Sequence, residues 1–228
     1  MCGRYAFYTP IEAVTRLFGV SEVHAHDIAP RYNVAPTQEV PIIRRSAFLE
    51  PPAAAPLELA LARWGLVPFW ARDPKIGNRM INARGETVAT KPAFRAAFRK
   101  RRCLVPADGF YEWRAVGEGP RPVKQPCWIG FEDRRLFAFA GLWASWHDPE
   151  GTRVDSFTIV TTDANPLLRP LHDRMPVILD PDGYEGWLTG DAETAAGLLR
   201  THDPDGMAVF EVGRGVNHVA NDDESLLS

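Results

Sequence analysis

A succession of short apolar stretches sets the tightest limit on how this chain folds: each is one strand long, and turn residues rather than helical repeats separate them. They run over Val40–Arg44, Leu57–Trp64, Cys103–Val105, Gly109–Trp113, Cys127–Phe131, Leu136–Trp143, Phe157–Thr162, Pro176–Leu179 and Ala208–Val212. A doubly wound parallel sheet needs a crossover, usually a helix, between successive strands. That alternation is missing. The pattern predicts an α+β fold, mainly antiparallel, with a curved or barrel-like sheet and a few peripheral helices. No shift of composition marks a boundary, so residues 1–228 read as a single compact domain.

Helical signals are few. In Thr9-Pro10-Ile11-Glu12, Thr9 is placed to cap, Pro10 suits the first helical position and Glu12 completes a capping box. Ile11, Val14, Leu17 and Phe18 then share one face, and Gly19 stops the helix. A second helix is expected from Pro92 to about Arg102, with Phe94, Ala97 and Phe98 inward and Arg95, Arg99, Lys100, Arg101 and Arg102 outward. A third covers Asp191 to Arg200, and a short turn of helix fits Tyr184–Leu188. Glu50–Pro56 reads as a surface loop.

No apolar run approaches bilayer length, and the first residues lack the apolar core of a signal peptide, so a cytoplasmic protein is expected. The cysteines (Cys2, Cys103, Cys127) are odd in number and form no CxxC pair, and the histidines form no HExxH. Neither a disulfide framework, a metal site nor a cofactor is expected, and His24 and His26 read as surface residues. The net charge is −3 over the whole chain, but it is unevenly spread. Between Arg63 and Lys124 there are 14 basic and 5 acidic residues, against 12 and 24 in the rest. Such a dipolar chain presents one face to polyanions, and Trp64, Phe69, Trp70, Phe94 and Phe98 interleave aromatic surface with that charge. A solvated basic helix with core aromatics accounts for the same pattern.

Cys2 points to chemistry. Removal of Met1 leaves a thiol and a free α-amine on one residue, a 1,2-aminothiol that closes on an aldehyde as a five-membered thiazolidine. The amine must be neutral to attack, and its ordinary pKa is about 7.7–8.0. A carboxyl in an apolar site, its pKa raised, suits the proton exchanges of imine formation. Glu112, between Tyr111 and Trp113 after the Gly109 turn, is either such a carboxyl or an edge-strand glutamate facing water. Asp108 sits at that turn and reads as a turn-former. His172, before the Pro176–Leu179 strand, is either a proton shuttle near neutral pH or a plain loop histidine. Asn82 either orients the amine or a sugar hydroxyl, or shapes a turn.

Several segments together resemble the SOS response-associated peptidase (SRAP) family, whose members are also called abasic-site processing proteins. The matching pieces are Met1–Arg4, Arg31–Pro36, Arg63–Pro68, Asn82–Thr87, Ala107–Trp113, Ile159–Thr162, Leu171–Pro176 and Val216–Asn221, in order across nearly the whole chain. The resemblance implies a barrel-like mixed fold and covalent capture of abasic sites in single-stranded DNA through a thiazolidine on Cys2. It implies that Asn82 positions amine or sugar, that Glu112 handles protons during imine formation and reversal, and that His172 assists opening of the sugar ring. Arg84 and Arg174 match arginines that hold the phosphates beside the lesion, with Arg4 as a third basic contact. Trp70, with Phe69, matches an aromatic that stacks at a DNA kink. Pro36 and Trp64 match walls of the groove, and Lys91 and Thr161 complete the DNA-binding set. The implied partner is single-stranded DNA carrying abasic sites, bound by a monomer associated with the nucleoid, with no membrane, metal or cofactor. The stretch Asp73–Asn78 departs from the family in length and leaves the local DNA path open. Two other readings stand beside this one. One is a self-processing peptidase with Cys2 as nucleophile, which the family name carries; the other is a non-catalytic single-strand binder. AP-lyase-like imine chemistry is a further implication of the same amine.

Overall fold

Five strands close on themselves. The computed structural model describes residues 2–25, 28–46, 55–117 and 122–228. Its strands are β1 (Tyr5–Phe7), β2 (Glu22–Val23), β3 (Arg31–Val34), β4 (Glu39–Arg45), β5 (Leu57–Trp64), β6 (Asn82–Arg84), β7 (Arg102–Ala107), β8 (Gly109–Val116), β9 (Val123–Phe131), β10 (Phe137–His147), β11 (Arg153–Asp163), β12 (Arg174–Pro176), β13 (Ile178–Leu179) and β14 (Met207–Glu211). Its helices are α1 (Ile11–Phe18), α2 (Gly85–Val88), α3 (Arg95–Lys100), α4 (Tyr184–Thr189) and α5 (Ala192–Gly197). The antiparallel path β11-β10-β7-β4-β5 is closed by a parallel pairing of β5 with β11, Arg63 beside Ser156 and Trp64 beside Phe157. The fold is therefore α+β with a closed five-strand mixed barrel and peripheral helices, as the strand spacing predicts. His26 and most of the loop expected at Glu50–Pro56 lie outside the described residues.

A second, antiparallel sheet, β3-β1-β8-β9-β14, packs on the barrel through aromatic side chains. Tyr5 of β1 meets Trp64 edge-on at 5.3 Å and Phe139 at 6.1 Å, and Phe110 of β8 meets Phe139 at 5.8 Å. All four are fully buried. Such pairs add about 0.5–1.5 kcal/mol each beyond area burial. Because β1 begins three residues after Cys2, this packing fixes the start of the chain between sheet and barrel. At its far end β11 lies between β6 and β12, with Ile159 beside Asn82, Thr161 beside Arg84 and Pro176, and Asp163 beside Arg174. One strand thus brings the Asn82 and His172 motifs to neighbouring positions.

Three local expectations change. Thr9 does not cap α1; Pro10 occupies the cap position, and the Thr9 hydroxyl donates instead to Asp108. Asp108 is buried and also accepts from the backbone N–H groups of Tyr8 (2.6 Å) and Thr9 (2.9 Å), so it ties the β7–β8 turn to the entrance of α1. The second helix spans only Arg95–Lys100, with Phe94, Ala97 and Phe98 buried as expected. Arg102, expected outside, is buried at the start of β7, where its guanidinium donates to the carbonyls of Phe98 (2.6 Å), Trp187 and Gly190. Carbonyls at the ends of two helices lack intrahelical partners, and a buried arginine satisfies them better than solvent could. The third helix, Ala192–Gly197, is shorter than its pattern but keeps its cap, Asp191 accepting from the Thr194 N–H at 2.8 Å.

Candidate active site

Cys2 is completely buried, its Sγ 3.9 Å from the Arg4 carbonyl. Burial pushes the thiol well above its usual range, and the negative charge of Glu112 pushes the same way. The sulfur is therefore a protonated thiol at neutral pH, close enough to Glu112 to feel its charge. Asn82 donates from Nδ2 to the Cys2 carbonyl at 2.7 Å. Its own place is set from below. The buried Trp64 indole donates to the Ile81 carbonyl at 2.9 Å, and the Ile159 N–H donates to the same oxygen at 3.1 Å.

Glu112 is not an edge-strand glutamate. It lies inside the second sheet, opposite Cys127 of β9, with only 5% of its surface exposed. The neighbouring Tyr111 N–H donates to the Arg4 carbonyl at 2.9 Å, which registers β8 directly on the segment that follows Cys2. Burial pushes the Glu112 carboxyl up to about 7, and the negative charge of Asp173 acts in the same direction. His172 sits in the turn before β12, partly exposed. Its pKa is lowered chiefly by burial, with the Asp173 carboxylate pushing the other way. Nδ1 lies 2.9 Å from the Arg174 N–H and 2.7 Å from a carboxylate oxygen of Asp173. The two contacts ask for opposite protonation. The lowered pKa favours the neutral ring, with Nδ1 accepting from Arg174 and the proton on Nε2.

Cys2, Asn82 and Glu112 therefore lie together, and Glu112 feels the charge of Asp173, next to His172 in the chain. The DNA-binding candidates divide. Phe69 and Trp70 are 65% and 48% exposed on a loop whose base is pinched shut. Gly65 there adopts a φ of +124°, and a Cβ on it would lie 2.5 Å from the Gly77 carbonyl, so the two backbones touch only because both residues are glycine. Trp146 anchors the same loop through the Ala71 carbonyl at 2.8 Å. Arg84 and Lys91 are exposed, and Pro36 is half-buried. Trp64, expected as a groove wall, is fully buried and supports Asn82 instead. Thr161 is also buried, its hydroxyl 3.4 Å from the Ala83 carbonyl. Arg174 is committed within the protein, to Glu86 and Asp163 at 2.7 Å each and to the Thr161 carbonyl at 2.7 Å. Arg4 donates to Asn33 Oδ1 and to the Val216 carbonyl, both at 2.7 Å.

Sequence reading missed the residues that hold this arrangement from behind. The buried Asn33 amide donates to the carbonyls of Val216 (3.2 Å), His218 (3.1 Å) and Asn221 (2.7 Å). Asp222 accepts from the N–H of Asn33 at 2.8 Å and from Arg31. The closing segment is thus clasped onto β3 and, through Arg4, onto the segment that leads from Cys2 into β1. The Arg31–Pro36 and Val216–Asn221 motifs were both visible, but nothing in their spacing marks them as partners.

A small mixed barrel with an added sheet buries the chain's first cysteine beside an amide and a carboxyl. The comparisons give this arrangement a family. The SRAP family, SOS response associated peptidase, matches residues 1–219, and the chain belongs to it. It is 38% identical over 231 residues to the abasic site processing protein YoqW of Bacillus subtilis, covering 100% of this chain and 99% of that one. It is 30% identical over 270 residues to the abasic site processing protein HMCES of Rattus norvegicus, covering 100% of this chain and 76% of the relative. A crystal structure of a protein from Bacteroides thetaiotaomicron superposes with a TM-score of 0.86 at 29% identity, over 100% and 99% of the two chains.

Proposed function

We propose that this protein processes abasic sites, by covalent capture of the ring-opened sugar aldehyde in single-stranded DNA by Cys2 once Met1 is removed. The neutral α-amine attacks the aldehyde carbon to give a carbinolamine. Glu112, partly protonated at neutral pH because burial raises it to about 7, passes a proton to the departing hydroxyl; water leaves, and the iminium N–H returns a proton to the Glu112 carboxylate to give the imine. The thiol then adds across the C=N bond; sulfur bonds to carbon, its proton moves to nitrogen, and the thiazolidine closes. A buried thiol that stays protonated suits this order, in which the amine acts first. Asn82 holds the Cys2 carbonyl so that the amine keeps one orientation. His172, with its proton on Nε2, is placed to serve the opening of the sugar ring. The exposed Phe69 and Trp70 supply stacking surface, about 1–3 kcal/mol per base. Arg84 and Lys91 supply phosphate contacts without sequence preference. Arg174 reaches a phosphate only by exchanging Glu86 or Asp163 for it.

The observation that carries this reading is the 2.7 Å bond from Asn82 to the Cys2 carbonyl beside a glutamate whose burial raises it to about 7. The test is a detergent-resistant adduct on abasic single-stranded DNA, formed by the processed chain and lost when a bulky residue inserted between Met1 and Cys2 keeps Met1 in place, or when the Cys2 amine is blocked. Equal adduct from the Met1-retaining chain would end the proposal.

A further inference from the structure

The parallel pairing of β2 with β5, on the edge of the barrel, assembles a group that shares no residue with the Cys2 site. Glu22 and Glu58 are direct partners in this ladder, and the His24 N–H donates to the Leu59 carbonyl at 2.9 Å, fixing the histidine backbone beside them. His24 Nε2 lies 3.5 Å from Glu22 Oε2 and 3.5 Å from Glu58 Oε2, and the three ligand atoms all fall within 4.8 Å of one another. These are long for hydrogen bonds. They are close to the spacing of about 3.4 Å between ligand atoms set tetrahedrally around zinc at its usual bond lengths. Glu58 is the unusual member. Its side chain is 1% exposed, Oε1 accepts from Arg44 Nε at 2.6 Å, and Oε2 is buried with no hydrogen bond among the described residues. A buried carboxylate oxygen left in that condition is costly, and this one faces His24.

We propose that Glu22, His24 and Glu58 form a zinc-type divalent metal site with three protein ligands and a fourth position open to water. One imidazole and two carboxylates suit zinc better than magnesium or calcium, which favour oxygen donors alone. Arg44 orients Glu58 from behind, and its charge is offset by Asp155, 3.0 Å from the same guanidinium. The metal pins β2 to the barrel edge. Zinc-finger or metalloprotease spacing is absent from the sequence because Glu58 arrives through the fold.

The test is zinc titration of the full chain after chelator treatment, in a Cys2→Ser background so that the aminothiol contributes no ligand. Binding near one equivalent with a rise in Tm is expected, with cobalt giving the absorption of a four-coordinate site. His24→Ala should weaken zinc binding by more than the roughly 10–100-fold typical of losing an outer-shell partner. Glu22→Gln, whose side chain is 42% exposed, should weaken it as well and guards against misfolding of a Glu58→Gln chain. Zinc affinity unchanged in both His24→Ala and Glu22→Gln, or no binding below millimolar zinc, overturns the site.

Discussion

The surroundings of Cys2 and the loop bearing Phe69 and Trp70 are built on opposite plans. Around Cys2 a chain of hydrogen bonds ties the surroundings down: Asn82 to the Cys2 carbonyl, Trp64 beneath Ile81, Tyr111 to the Arg4 carbonyl, and Arg4 with Asn33 to the closing segment. The Phe69–Trp70 loop is closed tightly at its glycine base and then leaves its two aromatic rings in solvent. Covalent chemistry needs atoms held to within a fraction of an ångström. A strand of arbitrary sequence needs only a face to stack on. Under the proposed function, the division assigns reaction rate to the buried region and affinity to the exposed one.

That division can be broken by mutations whose effects fall in the wrong place. The largest effect is expected from Glu112→Gln, which should slow adduct formation by about 10²–10⁴-fold, the usual range for a general acid–base group, while leaving non-covalent DNA binding unchanged. Single-turnover crosslinking and equilibrium binding separate the two, and a loss of binding instead of rate would erase the distinction. The wild-type rate should also trace a bell. It falls once pH exceeds about 7.7–8.0, where the amine is already neutral and a further rise only strips the proton that Glu112, raised to about 7, donates. It falls at lower pH as the α-amine, ordinarily about 7.7–8.0, becomes charged. Glu112→Gln should remove the high-pH limb, and a rate that keeps climbing with pH in the wild type would remove Glu112 as acid.

Trp70→Ala is expected next in size, costing about 1–3 kcal/mol of binding to single-stranded DNA with little change in the crosslinking rate at saturation. A rate defect at saturating DNA would place Trp70 with the chemistry. Arg84→Ala should be smallest, weakening binding across all sequences and lowering the salt slope by about 1; an unchanged slope would take Arg84 off the phosphate backbone.

The barrel was legible because strand-length apolar runs without crossover helices leave few arrangements; the short β1, β2, β3 and β6 were not foreseen, β8 to β11 each run three or four residues past one end of their apolar stretch, and Pro176–Leu179 divides into β12 and β13, which pair with different strands. Helix ends were less so. Thr9 and Arg102 have the side chains of a cap and a solvated face, yet each found a tertiary partner, Asp108 in one case and helix-end carbonyls in the other. The reactive residues could be nominated by type, Cys2 above all. Their meeting depends on β6 and β12 flanking β11, which no spacing reveals. The clasp was hidden for a different reason: Asn33 works on backbone carbonyls nearly the full chain away, and carbonyls have no sequence signature. The buried state of Trp64 and Thr161 was hidden as well, since a motif names a residue without saying which way it faces.

The most direct test is the intact mass of the protein–DNA adduct formed on single-stranded DNA with one abasic site, before and after borohydride treatment. Joint capture by amine and thiol predicts a mass equal to the Met1-less chain plus the DNA less one water, and no gain of hydrogen on reduction, because the closed ring leaves no imine. An adduct that takes up two hydrogens, or one that retains Met1, would contradict it.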